Sequence, residues 1–124
     1  MKTILIVEDD QQTLDLYTQT LASSEITIIS SNNAVEGFDA LMKHKPDLVI
    51  LDIMLPGGSN GFDLLEQIKR DPGTKDIPVL VLTNLDSEKN ASISMGAADY
   101  IVKTQSTLAQ IREKVLALLS LSPQ

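Results

Sequence analysis

Five short runs of aliphatic and β-branched residues punctuate the chain at Thr3–Val7, Ile26–Ile29, Leu48–Leu51, Val79–Leu82 and Tyr100–Val102. A strand with one wet face alternates apolar and polar side chains. Runs without that alternation are expected to be strands covered on both faces, as in a parallel sheet. Between them the spacing turns helical. Leu14, Tyr17 and Leu21 fall at i, i+3 and i+7, and Ala34, Phe38 and Leu41 at i, i+4 and i+7. Phe62, Leu65 and Ile68 recur every third residue, and Leu108, Ile111, Val115, Leu118 and Leu119 trace a final stripe. The stretch from Ser87 to Met95 is the weakest helix, with only Ala91, Ile93 and Met95 to bury.

Punctuation agrees. Asn33 followed by Glu36 reads as a cap with its reciprocal acid. Pro46 and Pro78 precede the third and fourth strands, and Asp71-Pro72-Gly73 ends the third helix. The tail from Ser120 to Gln124 is expected to fray. Strand and helix alternating five times describe a doubly wound α/β fold. The 124 residues suffice for one domain, residues 1–124, with a core that needs no crosslink.

In such a fold, ligands bind beyond the carboxyl ends of the strands. The first strand runs into Glu8-Asp9-Asp10, the third ends in Asp52, the fourth in Thr83 and the fifth in Lys103. An acid after a strand is commonly a helix cap, and Asp10 fits that role for the first helix as well as it fits a third acid near a metal. Convergence from four strands points to a site. Crowded carboxylates repel unless cations join them. Lys103 supplies one charge, and a hard divalent ion with a shell partly of water suits the rest. That describes Mg²⁺ better than calcium, which needs more protein oxygens. The chain has no cysteine and one histidine, His44 in a polar Lys-His-Lys stretch read as surface, so no zinc cluster is expected. A nucleotide site would open the first helix with a glycine- or serine-rich loop, and acids stand there instead.

Composition excludes other classes. A formal charge of −7 argues against a nucleic-acid surface. No apolar stretch approaches the roughly 20 residues that span a bilayer, and no signal peptide is visible. A cytoplasmic location is expected.

Taken together, Ile4-Leu5-Ile6-Val7-Glu8-Asp9-Asp10, Pro46-Asp47-Leu48-Val49-Ile50-Leu51-Asp52, Met54-Leu55-Pro56, Val81-Leu82-Thr83 and Gly96-Ala97-Ala98-Asp99-Tyr100-Ile101-Val102-Lys103 resemble the receiver domains of two-component response regulators. The likeness covers essentially the whole chain and is closest to stand-alone receivers of the chemotaxis-response kind. It implies a flavodoxin-like sheet of five parallel strands in the order 2-1-3-4-5, with five helices. It implies that Asp52 takes a phosphoryl group from a sensor histidine kinase or phosphotransfer protein. Asp9 and Asp52 would hold Mg²⁺ directly, Glu8 through water, and Met54 through its backbone carbonyl. Lys103 and Thr83 would contact the phosphoryl oxygens. Thr83 and Tyr100 would form the switch, the ring turning inward and reshaping the face of the fourth helix, fifth strand and fifth helix for a downstream protein target. The resemblance implies a phosphoacceptor rather than a turnover enzyme, a monomer or a phosphorylation-linked homodimer, and no binding of nucleic acid or membrane.

Three positions depart from the family pattern. Thr104 follows Lys103 where a proline joined through a cis peptide is usual, so a trans bond and a different aim for Lys103 are admissible. Asn84 replaces a small residue, and the loop Pro56-Gly57-Gly58-Ser59-Asn60-Gly61 is about one residue longer than common. Met54 and Leu85 flank the expected path of an attacking water, and neither side chain can orient it, so slow loss of the phosphoryl group is expected. Two rivals remain open at this level. One is a degenerate receiver that only docks proteins. The other is an aspartyl phosphohydrolase, which would need a second acid where Met54 stands.

Overall fold

The computed structural model describes residues 1–54 and 60–121. Among them five strands and five α-helices alternate. They are β1 (Lys2–Val7), α1 (Gln11–Leu21), β2 (Ile26–Ser31), α2 (Ala34–His44), β3 (Leu48–Leu51), α3 (Gly61–Arg70), β4 (Val79–Thr83), α4 (Lys89–Ser94), β5 (Asp99–Val102) and α5 (Leu108–Leu118). All strand pairs are parallel and the sheet order is β2-β1-β3-β4-β5, as the resemblance implied. Among these residues, no helix is long and apolar enough to cross a membrane.

The period of two along a strand explains why the runs are continuous. Ile4, Ile6, Leu48, Ile50, Leu80 and Leu82 point to one face, where Leu14, Tyr17 and Leu21 of α1 and Ile111, Val115 and Leu116 of α5 cover them. Leu5, Val7, Val49, Leu51, Val79 and Val81 point to the other, against Leu41 of α2 and Leu64, Leu65 and Ile68 of α3. Every residue of β3 and β4 is buried. Each such aliphatic side chain contributes about 1.5–3 kcal/mol on leaving water. Burial on both faces also fixes register, since a one-residue slip would exchange the two cores.

Helix ends follow their caps. Asp10 and Asn33 accept from the N–H groups of Thr13 and Glu36. The reciprocal box expected at Asn33 forms instead at Asn60 with Asp63 and at Thr107 with Gln110. α3 stops at Asp71, as the Asp71-Pro72-Gly73 turn suggested.

Several expectations need correction. α4 covers Lys89–Ser94 rather than Ser87 to Met95, and its buried residue is Ser92, with Ala91 and Ile93 exposed. The expected trio lies at i, i+2 and i+4, which no single helix face can hold. Leu108 is exposed at the start of α5, and Leu116 takes its place in the core. Asp52 and Lys103 each stand one residue beyond their strands, β3 and β5. Leu121 packs partly against the α1–α5 core, its N–H donating to the Leu116 carbonyl at 2.8 Å, so the chain does not fray at Ser120. The expectations for Leu55, for the loop from Pro56 to Ser59 and for residues 122–124 lie outside the described residues.

Candidate phosphoacceptor and metal site

The strand order brings the tips of β1 and β3 side by side. Val7 pairs with Leu51, and the Asp52 N–H donates to the Val7 carbonyl at 3.1 Å. The next residues on β1 are Glu8 and Asp9. Carboxylate oxygens of Glu8, Asp9 and Asp52 all lie within 4.8 Å of one another. Glu8 and Asp52 are buried, and Asp9 faces solvent.

Lys103 arrives from β5, across the tip of β4. Its Nζ donates to Asp52 Oδ2 at 2.9 Å and to Glu8 Oε1 at 2.5 Å. The peptide after Lys103 is trans, since the described residues contain no cis bond, and the ammonium nonetheless reaches the acids. Asp52 Oδ1 accepts the Met54 N–H at 2.9 Å, so both carboxylate oxygens are held.

With all three carboxylates ionised, the one ammonium leaves two negative charges at this edge. At an effective dielectric of about 20, two carboxylates some 5 Å apart repel by about 3 kcal/mol. Glu8 registers the strain. Burial pushes its pKa up to about 7, with Asp52 adding to the rise and Lys103 opposing it. Burial presses the Lys103 ammonium the other way, but the hydrogen bonds it donates to Glu8 and Asp52 outweigh that and raise its pKa. A divalent cation would cancel the excess. The donor set, all oxygen and partly open to water at Asp9, fits Mg²⁺.

Asp10 stands apart from this cluster. It accepts the Thr13 N–H at 3.2 Å as the cap of α1, and also the Thr13 hydroxyl; those bonds hold its pKa down. His44 is exposed at the end of α2, Asn84 is exposed, and the Met54 side chain is 53% exposed.

Thr83 closes β4 fully buried, its Oγ1 accepting the Leu85 N–H at 3.5 Å. Tyr100, the other residue expected to switch, is buried on β5. Its ring is buried in the α2–α3 core and its hydroxyl donates to the Leu85 carbonyl. The backbone of Leu85 thus connects the two expected switch residues. Sequence reasoning singled out Leu85 for its apolar side chain and missed this role, because any residue type offers the same N–H and C=O.

Comparisons with known proteins follow this geometry. A family model described as "Response regulator receiver domain" matches residues 4–116. The phosphate regulon transcriptional regulatory protein PhoB of Pseudomonas aeruginosa is 38% identical over 104 residues, covering 82% of this chain and 45% of that protein. The chain thus spans under half the length of that relative. Protein PilH of the same organism is 33% identical over 121 residues, covering 94% of this chain and 99% of PilH. The solved Mn(2+)-bound form of response regulator Rcp1 superposes with a TM-score of 0.84 at 25% identity, covering 99% and 98% of the two chains.

Proposed function

The chain belongs to the response regulator receiver domain family, modules of two-component phosphorelay signalling, and from that premise we propose that Asp52 is its phosphoacceptor and Mg²⁺ its cofactor. The observation that carries the reading is the single ammonium of Lys103 joined to both Asp52 and Glu8, with the Asp9 carboxylate alongside.

Asp9, Asp52 and the Met54 carbonyl would hold Mg²⁺ directly, and Glu8 through water. That the similar Rcp1 structure is a Mn(2+)-bound form supports a hard divalent ion as the cofactor. When bound, the ion neutralises charge on the carboxylates and on the incoming phosphoryl oxygens.

The chain's own residues do the positioning. An Asp52 oxygen attacks the phosphorus of a phosphohistidine on a kinase or phosphotransfer partner; the O–P bond forms as the N–P bond breaks, and the imidazole leaves with the electron pair. The product is an acyl phosphate. Lys103 moves from pairing with a carboxylate to pairing with a phosphoryl oxygen, and Thr83 turns its hydroxyl from the Leu85 N–H toward another. That exchange frees the Leu85 backbone, which also accepts from Tyr100, so charge at Asp52 is coupled to the β5 edge. A groove of about 270 Å³ lined by Asp86, Lys89, Tyr100, Gln105 and Ser106 lies there, a place for a downstream protein target or a second copy of the chain. The reading includes one receiver domain over residues 1–124, a cytoplasmic setting beside its kinase, and no turnover enzyme.

The test is intact-protein mass spectrometry after incubation with MgCl₂ and acetyl phosphate. The wild type gains a base-labile phosphoryl mass that Asp52→Asn does not; equal labelling of both proteins contradicts the assignment. The exposed thioether of Met54 and the apolar Leu85 cannot orient a water. The label is therefore expected to outlast minutes in Mg²⁺, and decay within seconds argues against that account.

A further inference from the structure

We infer that Gly61, the first residue of α3, is a positioning residue that seats the Asp52–Met54 backbone and so aims the phosphoacceptor carboxylate, an inference that rests on the reading of Asp52 above. The contact is backbone on backbone. A Cβ at Gly61 would stand 2.3 Å from the Ile53 Cα, 2.6 Å from the Asp52 carbonyl oxygen and 3.0 Å from the Ile53 nitrogen. No rotamer change relieves such an overlap, because no side chain takes part in it. The Gly61 N–H also donates to the Ile53 carbonyl at 3.2 Å, tying the helix to the same segment.

What lies on that segment gives the contact its consequence. The Met54 N–H holds Asp52 Oδ1 at 2.9 Å. The Met54 carbonyl is the expected backbone ligand of the ion. α3 is the heavier partner: Leu64, Leu65 and Ile68 are fully buried, and mutual hydrogen bonds between Asn60 and Asp63 close its first turn. A side chain at position 61 therefore displaces residues 52–54 rather than the helix.

Gly96 provides the contrast. Its φ of +106° suits glycine, and a Cβ there would meet the Lys69 side chain at 3.1 Å, away from the acids. Gly96→Ala strains the backbone and leaves the site alone.

The experiment compares wild type, Gly61→Ala and Gly96→Ala, each below its own unfolding transition. It reads Mg²⁺ affinity by calorimetry and, separately, the phosphorylation rate with acetyl phosphate at saturating Mg²⁺. Gly61→Ala is expected to weaken Mg²⁺ binding about tenfold or more and to slow phosphorylation. Gly96→Ala stays within about twofold on both, whatever its loss of stability. Equal weakening in the two variants, or wild-type affinity and rate in Gly61→Ala, overturns the inference. If Gly61→Ala does not fold, Asn60→Ala decides. Losing the cap loosens the first turn of α3 without an overlap and should weaken Mg²⁺ binding about two- to fivefold; unchanged affinity overturns the inference. Wild-type protein that binds no Mg²⁺ sinks the functional reading as well, and is told apart because no variant is needed to see it.

Discussion

Glu8 carries a carboxylate out of water beside Asp52, and its pKa of about 7 records what that burial costs. Between the ordinary value of about 4.5 and about 7, the folded chain holds a proton that the unfolded chain has released. Metal-free stability from this group therefore declines as pH rises through that window. Thermal unfolding in EDTA should show the decline, and Glu8→Gln should abolish it while adding about 1–2 kcal/mol near pH 8. A Glu8→Gln variant with the wild-type slope would refute the assignment. Mg²⁺ must displace the same proton, so its affinity should rise with pH through about 7. Tyr100→Phe tests the other end of the site. It removes the donor to the Leu85 carbonyl and should cost about 1 kcal/mol in urea unfolding. No loss would mean that the hydroxyl bond contributes nothing.

Among the elements, α4 is the least anchored. Its one buried residue is Ser92, whose Oγ has no hydrogen-bond partner among the described residues. Burying a hydroxyl without a partner costs about 1–3 kcal/mol. Ser92→Ala should therefore stabilise the protein by about 1 kcal/mol and slow amide exchange at Ser92 and Met95, whose N–H groups bond within this helix; destabilisation would show that the hydroxyl is satisfied after all. The same helix marks where the sequence was hardest to read. Helical spacing tells which residues share a face, and Leu14, Tyr17 and Leu21 share one that is buried as expected. Of Ala91, Ile93 and Met95, which cannot all share one face, only Met95 packs against the core, so the apolar character of the other two misled. In α5 the stripe was right from Ile111 onward, but Leu108 precedes the point where the helix meets the sheet, and Leu116 fills the core instead.

Across the whole molecule, the parallel order was legible because continuous apolar runs require cover on both faces, and that order carries Glu8, Asp9, Asp52, Thr83 and Lys103 to one edge. Side-chain chemistry at strand tips is written in residue types. Backbone roles are not. The link through Leu85 and the pressure of Gly61 on residues 52–54 depend on how close two main chains pass, which composition and spacing do not encode. The burial of Tyr100 depends on packing in the α2–α3 core for the same reason. Charge is the property that unites these scales, since with Glu8 ionised the edge holds two negative charges more than Lys103 can balance. The most direct measurement is thermal unfolding near pH 8 in MgCl₂ against EDTA. At ten times the dissociation constant, binding adds about 1.4 kcal/mol, which for a domain of this size raises Tm by about 4–6 °C, and the gain should shrink toward pH 6. Identical unfolding curves with and without millimolar Mg²⁺ would contradict the claim that a divalent ion completes this site.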